Sequence, residues 1–459
     1  MPLLSRRTFL ELASAAAITG CSGGKGSFAS GSIPLLAFSD IHFNPFYTGN
    51  AAVFQALNTA PCNQWQSIFA SYEASSPTPP SVWGTDTNYP LLELALASVE
   101  QNLGSSEVAI YTGDLLGHNI PTLYEQASGS SDPASILAFT NQAAGFVMQQ
   151  IRNAVGTIPV VFAVGNCDSY TGYGPDGTFL ANTAEMYSAQ MLHGIVNDQE
   201  FARTFTTAGY YSAELFHGAL RVISLNTILC SPLVPGDNSA AVTTQFAWLD
   251  AQLAAAEAAG QKVWILMHVP VGGFLGATAA NVDSSGHIAS AVMMWEPAYQ
   301  AAFLTTIAKY PGLTSLLIAG HTHMDEYRIV LPGLALEVAP GISPCFANDP
   351  AYKLFTLDLN TFVPSDYNAV KYSLATLPKQ FEDSYTFTEA YGAADDSPAS
   401  LEKLYPLLAS DPARQAIFRQ YYFCGALQGN TITNLTWPVY WAGVGNSSAE
   451  GIVAAVNAY

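Results

Sequence analysis

Five times along this chain a short apolar run stops at side chains that bind metals. Ile33–Ser39 runs into Asp40-Ile41-His42, and Val108–Thr112 into Gly113-Asp114. Pro159–Val164 runs into Gly165-Asn166, Val263–Met267 into His268, and Leu313–Ala319 into Gly320-His321-Thr322-His323. Each run is 5–7 residues long and rich in β-formers without polar alternation. That pattern predicts strands buried on both faces. Helical periodicity lies between several of them, over Leu91–Leu103, Ile136–Val155 and Thr243–Ala259. Strands alternating with helices define an α/β fold, in which ligands gather at the carboxyl ends of the strands. Further strands are predicted at Leu220–Asn226, Glu326–Leu331, Leu334–Val338, Lys353–Leu359 and Val370–Leu374. With few helices between them, these are expected to form a second sheet. The sum is a two-sheet α/β sandwich with helices on its outer faces.

The seven candidate ligands are Asp40, His42, Asp114, Asn166, His268, His321 and His323. Singly, each is weak: Gly-Asp is usually a turn, and a histidine after a strand is usually a satisfied core or cap residue. Together and always at a strand end, they are too expensive to bury without a partner. Residues two apart on an extended segment point the same way, so Asp40 with His42, and His321 with His323, can converge. Carboxylate, amide and imidazole donors suit Zn²⁺, with Mn²⁺ or Fe as alternatives, better than Ca²⁺ or Mg²⁺ alone. Seven ligands exceed one tetrahedral ion and suit two divalent ions sharing a carboxylate.

These motifs resemble the calcineurin-like metallophosphoesterase superfamily. Ser39-Asp40-Ile41-His42-Phe43-Asn44-Pro45-Phe46-Tyr47, Thr112-Gly113-Asp114 with His118 four residues on, Ser224-Leu225-Asn226-Thr227 and His321-Thr322-His323-Met324-Asp325-Glu326 look like its acid sphingomyelinase and endopolyphosphatase branch. The resemblance spans roughly residues 33–360, and no cysteine-rich saposin-like stretch precedes it. It implies hydrolysis of a phosphodiester by a hydroxide bridging two metals. One metal would take Asp40, His42, Asp114 and His323; the other Asp114, Asn166, His268 and His321. His118 would touch the phosphate and protonate the leaving oxygen, and Asp168 would fix the loop behind the ligands. One position departs: where relatives carry Gly-Asn-His-Asp, this chain has Gly165-Asn166-Cys167-Asp168. A thiol does not replace imidazole as a proton donor, so acid catalysis would rest on His118. Competing readings are a phosphomonoesterase or polyphosphatase on the same metals, and a non-catalytic surface lipoprotein that retains the fold.

Composition bounds the rest. The net charge of −20 opposes binding to nucleic-acid polymers, leaving a small-molecule or lipid phosphoester as substrate. Ser5-Arg6-Arg7-Thr8-Phe9-Leu10 reads as a twin-arginine export signal, and Ile18-Thr19-Gly20-Cys21 as a lipoprotein cleavage box that would make Cys21 the lipidated residue. Export follows, to a bacterial cell envelope, lipid-anchored, or to the periplasm or exterior, with any membrane attachment through lipid. Residues 1–21 are thus expected as signal, 22–32 as a flexible linker and 33–377 as the catalytic unit. Insertions near 44–88 and 170–216 are expected over the site, and 378–459 as a mostly helical appendage. Five cysteines follow Cys21, so at least one thiol stays free, Cys167 by expectation; any four could pair in three ways.

Overall fold

The computed structural model describes residues 31–174, 176–427 and 432–459; the signal segment, Cys21 and most of the linker lie outside them. Among the described residues, twelve strands make two six-stranded sheets: β1 Ser32–Phe38, β2 Ala109–Tyr111, β3 Val160–Phe162, β4 Tyr211–Leu215, β5 Leu220–Ser224, β6 Lys262–Leu266, β7 Thr314–Ala319, β8 Glu326–Leu331, β9 Leu334–Val338, β10 Ala351–Asp358, β11 Pro364–Tyr372 and β12 Phe381–Thr386. The first sheet runs β12-β11-β10-β1-β2-β3 and the second β4-β5-β6-β7-β9-β8. The family fold expected from the motifs is present: an α/β sandwich with helices outside.

The apolar runs account for this arrangement. In β6, Trp264 and Leu266 join the core shared by the two sheets, while Val263 and Ile265 face a second apolar cluster on the outer side. That outer cluster is filled by Phe246, Leu249 and Leu253 of helix Ser239–Ala259 and by Phe303 and Ile307 of helix Pro297–Ala308. A strand covered on both faces has no polar alternation to show. The helices at Tyr89–Asn102 and Pro133–Val155 likewise start at Asn88 and Asp132, whose side chains accept the first free N–H groups.

Parallel pairing brings the strand ends level. Phe38 pairs with Tyr111, and Tyr111 with Phe162. Across the sandwich Ser224 pairs with Leu266, Leu266 with Ile318, and Ala319 with Val338. The two rims are stitched together: His321 N–H donates to Asp40 Oδ2 (3.0 Å), and Ile342 and Ser343 N–H donate to Ser39 O and Asp40 O (3.0 and 2.9 Å).

The strands divide between the sheets differently from the sequence expectation. β6 and β7 belong to the second sheet, whereas β10 and β11, expected there, extend the first by antiparallel pairing with β1. Burial patterns reveal which faces are covered, not which strand is the neighbour; here the hydrogen bonds from Ile342 and Ser343 steer the chain back beside β1. The 44–88 segment, expected as an insertion over the site, is largely part of the core. Its helices Ala51–Thr59 and Trp65–Ser75 carry Phe54, Trp65 and Phe69 into the main core, and Asp86, near its end, enters the site. In 170–216, helices Gly177–Tyr187 and Asp198–Ala208 pack Tyr187 and Phe205 against Phe162, and the segment supplies β4. Beyond residue 378 the chain first adds β12 to the sheet edge and then forms helices whose Leu404, Phe418 and Trp437 join the main core. Cys62, Cys167, Cys230, Cys345 and Cys424 are all free thiols.

Candidate metal centre

All seven sequence-predicted ligands meet at the rim where the two sheets join. Asp40, His42 and His323 place ligand atoms within 4.8 Å of one another, as do Asp114, His268 and His321. Asp114 joins the two groups: its Oδ2 lies 3.3 Å from His42 Nε2 and 3.2 Å from His268 Nε2. Asn166 Oδ1 is 2.9 Å from His268 Nε2. Asp40 Oδ1 is 3.4 Å from His323 Nε2 and 3.7 Å from His42 Nε2.

The backbone is bent to achieve this. Asp40, His42, Asp114, His321 and His323 all have positive φ, from 44° to 71°. Non-glycine residues adopt that region rarely and at a cost. Five such residues in one cluster mark a site whose geometry is imposed by its surroundings. Two glycines make the closeness possible: a Cβ at Gly165 would overlap Asp114, and one at Gly320 would overlap Ser39 and Asp40.

The imidazoles are oriented from behind. His42 Nδ1 lies 3.2 Å from Leu116 O, His268 Nδ1 2.7 Å from Thr112 O, and His323 Nδ1 2.9 Å from Ser343 O. A carbonyl only accepts, so each Nδ1 carries a proton and each Nε2 points inward, a lone pair wherever the ring is neutral. His42 Nε2 and His323 Nε2 then face each other at 3.1 Å, and His321 Nδ1 faces His268 Nε2 at 3.2 Å. Lone pairs so placed repel unless a proton or a cation sits between them. This donor set therefore fits a pair of divalent cations.

Charges follow the same logic. Burial opposes ionisation of Asp40, yet His323 and His42 hold its carboxyl down to about 2. Burial also opposes Asp114, which His268 and His42 hold well below the usual range. Against burial, Asp114 and Asp40 raise His42 to about 9, and the same pair raises His268 to about 9. Burial and the neighbouring His268 drop His321 to about 3, and burial drops His323 to about 4. Without metal, two protonated rings neutralise the two acids. Bound metal ions would take over that balance and release the protons.

Asp168 accepts four backbone N–H groups, from Asp114 (3.2 Å), Leu115 (2.9 Å), Leu116 (3.3 Å) and Gly165 (2.9 Å). It thereby locks the Asp114 turn onto the Asn166 turn. Cys167 is buried, and its N–H donates to Asp114 Oδ1 at 2.7 Å, so it serves the site through its backbone. His118 stacks on His42 with ring centroids 4.3 Å apart and has 36% of its side chain exposed, where a substrate can reach it. Its partner is a residue that sequence reasoning missed. Asp86 accepts from His118 Nδ1 and from His118 N–H, both at 2.7 Å. The available signal was faint: Asp86 is the sole acid between Glu73 and Glu93 in a Pro-rich stretch. Phe346, half-exposed, stands edge-on to both His323 (4.8 Å) and His118 (6.1 Å) and forms an apolar lip.

The calcineurin-like phosphoesterase model matches residues 33–325, so the chain belongs to that family and is a metal-dependent hydrolase of phosphoric esters. Among curated proteins it is similar to the cyclic GMP-AMP phosphodiesterase SMPDL3A of Rattus norvegicus, 27% identical over 382 residues that cover 78% of this chain and 79% of the relative. Sphingomyelinase phosphodiesterase C of Dictyostelium discoideum is 24% identical over 390 residues, covering 77% and 78%. Human acid sphingomyelinase-like phosphodiesterase 3b is 24% identical over 413 residues, covering 84% and 81%.

Proposed function

We propose that the chain hydrolyses a small phosphodiester, with Asp40, His42, Asp114 and His323 holding one divalent ion and Asp114, Asn166, His268 and His321 the other. The observation that carries this is the Asp114 carboxylate, set 3.2–3.3 Å from one imidazole of each group. The donor set favours Zn²⁺, with Mn²⁺ or Fe as alternatives. Once bound, two such ions supply Lewis-acid polarisation of the phosphoryl group and a water nucleophile ionised at neutral pH.

The protein supplies the rest. Leu116, Thr112 and Ser343 carbonyls fix three rings so that no reorganisation accompanies the reaction. Asp86 binds His118 Nδ1–H and leaves Nε2 for the substrate side. As the P–O bond breaks, the Nε2 proton passes to the leaving oxygen, and the neutral ring keeps its Nδ1–H on Asp86. Phe346 offers an apolar surface to the organic part of the ester. The relatives' printed activities support a diester. Phospholipid head groups and nucleotides both fit, and the −20 charge disfavours long polyanions. One observation favours a second reading: with Cys167 in place of a second proton donor, activated phosphates or phosphoanhydrides would react best.

The test is to purify the chain, load it with each divalent metal, and compare bis-nitrophenyl phosphate with nitrophenyl phosphate. Diester turnover above monoester turnover supports the proposal; a clear monoester preference, or inactivity with every metal, rejects it. The twin-arginine and Cys21 motifs support a working enzyme in the cell envelope, held on a lipid anchor. Among the described residues no helix is long and apolar enough to cross a membrane. Mass spectrometry of the mature amino terminus checks that assignment: a first residue other than a lipidated Cys21 defeats it.

A further inference from the structure

Beside the bimetal centre lies a second kind of donor cluster. Asp86, His118 and Cys345 bring a carboxylate oxygen, an imidazole nitrogen and a thiol sulfur within 4.8 Å of one another. Unlike the two groups inside the centre, all three residues are partly open to solvent. The cluster is also held in place. Ser343 N–H donates to Asp40 O at 2.9 Å, and Gly84 N–H donates to Pro344 O at 3.0 Å. The second of these bonds ties the turn bearing Cys345 to the segment bearing Asp86. Asn348 Nδ2 donates to Ser343 O at 3.1 Å and closes the turn. Cys345 Sγ itself sits 3.7 Å from His323 Nδ1, against the wall of the centre.

We propose that Asp86, His118 and Cys345 form a third, exchangeable site for a thiophilic divalent cation such as Zn²⁺ or Cd²⁺, and that its occupation switches hydrolysis off. A carboxylate, an imidazole and a thiolate are three ligands of a four-coordinate ion, with water able to complete the set. The thiol selects soft ions over Mg²⁺ or Ca²⁺. On binding, the thiol proton leaves to solvent and the ion takes an imidazole nitrogen of His118. His118 then can no longer deliver a proton to the leaving oxygen. The alternative grouping of His118 with His42 and Cys167 is poorer, because Cys167 is buried and His42 already faces the bimetal centre. Two neighbouring cations weaken the third site, which makes it a sensor of excess metal rather than a permanent holder.

The inhibitory part rests on the role of His118 proposed above; the binding part does not. The test uses the full chain loaded with its two resident ions and titrated with Cd²⁺ and, separately, Zn²⁺. The wild type is expected to take up one further Cd²⁺ with an ultraviolet thiolate-to-metal band, and to lose activity with excess Zn²⁺. Cys345→Ser is expected to keep its basal turnover and lose the band. Its sensitivity to Zn²⁺ should fall by at least about tenfold, since even indirect supports of a metal are worth that much. Cys167→Ser is expected to keep the band and the sensitivity to Zn²⁺. Excess Zn²⁺ should also shield Cys345 of the wild type from iodoacetamide, a readout that needs no variant. Absence of the band in wild type, its loss in Cys167→Ser instead, or unchanged Zn²⁺ inhibition of Cys345→Ser overturns the proposal. A chain inactive on every ester but showing the band would sink the diesterase reading and leave this site standing.

Discussion

Replacing Asp86 with Asn should damage catalysis in a way that depends on the leaving group. The carboxylate receives two short bonds from His118, one from Nδ1 and one from the backbone N–H. Asn keeps the size but has one acceptor oxygen, so it can serve one donor and turns its NH₂ toward the other. Burial works against the Asp86 charge, and its bond with His118 keeps the carboxyl below its usual value; the bond is therefore charge-assisted. Such bonds are worth about 1.5–3 kcal/mol, which converts to a rate loss on the order of 10- to 100-fold. The loss should appear where the leaving oxygen needs a proton. A methyl or choline-type alkyl diester should lose the full factor in kcat. A nitrophenyl diester, whose leaving group departs as a stable anion, should lose only about two- to threefold, because general acid help contributes little there. The assay is kcat against leaving-group pKa for wild type and Asp86→Asn at matched metal content. Equal losses across the series would show that Asp86 supports the loop alone and that His118 is not the acid.

Three further outcomes test the frame around that site. Gly165→Ala puts a methyl group onto the Asp114 carboxylate; the strain should cost about 1–3 kcal/mol and lower bound metal, and elemental analysis showing two full ions would refute the close-approach argument. Removing the metals with a chelator should lower Tm, because a ligand of the native state at 100 times its Kd adds about 2.7 kcal/mol; a Tm that neither falls with chelator nor recovers with Zn²⁺ or Mn²⁺ counts against a bimetal site. Burial raises Glu337 from its ordinary 4.5 to about 7, against the pull of Lys353 Nζ at 2.7 Å. A raised carboxyl stabilises the fold below pH ~4.5 and loses that contribution as pH climbs to about 7. Glu337→Gln should therefore match wild type near pH 4.5 and melt higher than wild type above pH 7, and a lower Tm there would show that the Lys353 pair outweighs the burial cost.

The convergence of the candidate ligands was legible in the sequence because their chemistry and their topology coincide. Each ligand follows a strand that is apolar throughout, so a polar residue at its end stands out, and Asp-x-His or His-x-His spacing shows convergence without any knowledge of neighbours. Strand partnership was not legible: β10 alternates in burial as an antiparallel strand does, and nothing in that alternation says whether its partner is β1 or β9. Asp86 was hidden for a related reason. Its function comes from one contact across 32 residues of chain, made by a segment whose apolar residues, Trp65 and Phe69, serve the core and give no periodicity near the acid. Cys345 is further still, joined to the Asp86 segment through the Gly84–Pro344 and Ser343–Thr85 hydrogen bonds. Local pattern thus reports residues that must be polar because of where their own strand ends. It is silent on residues that become functional because another segment is folded against them, and in this protein those second residues are the ones that would tune how and when the metal centre works.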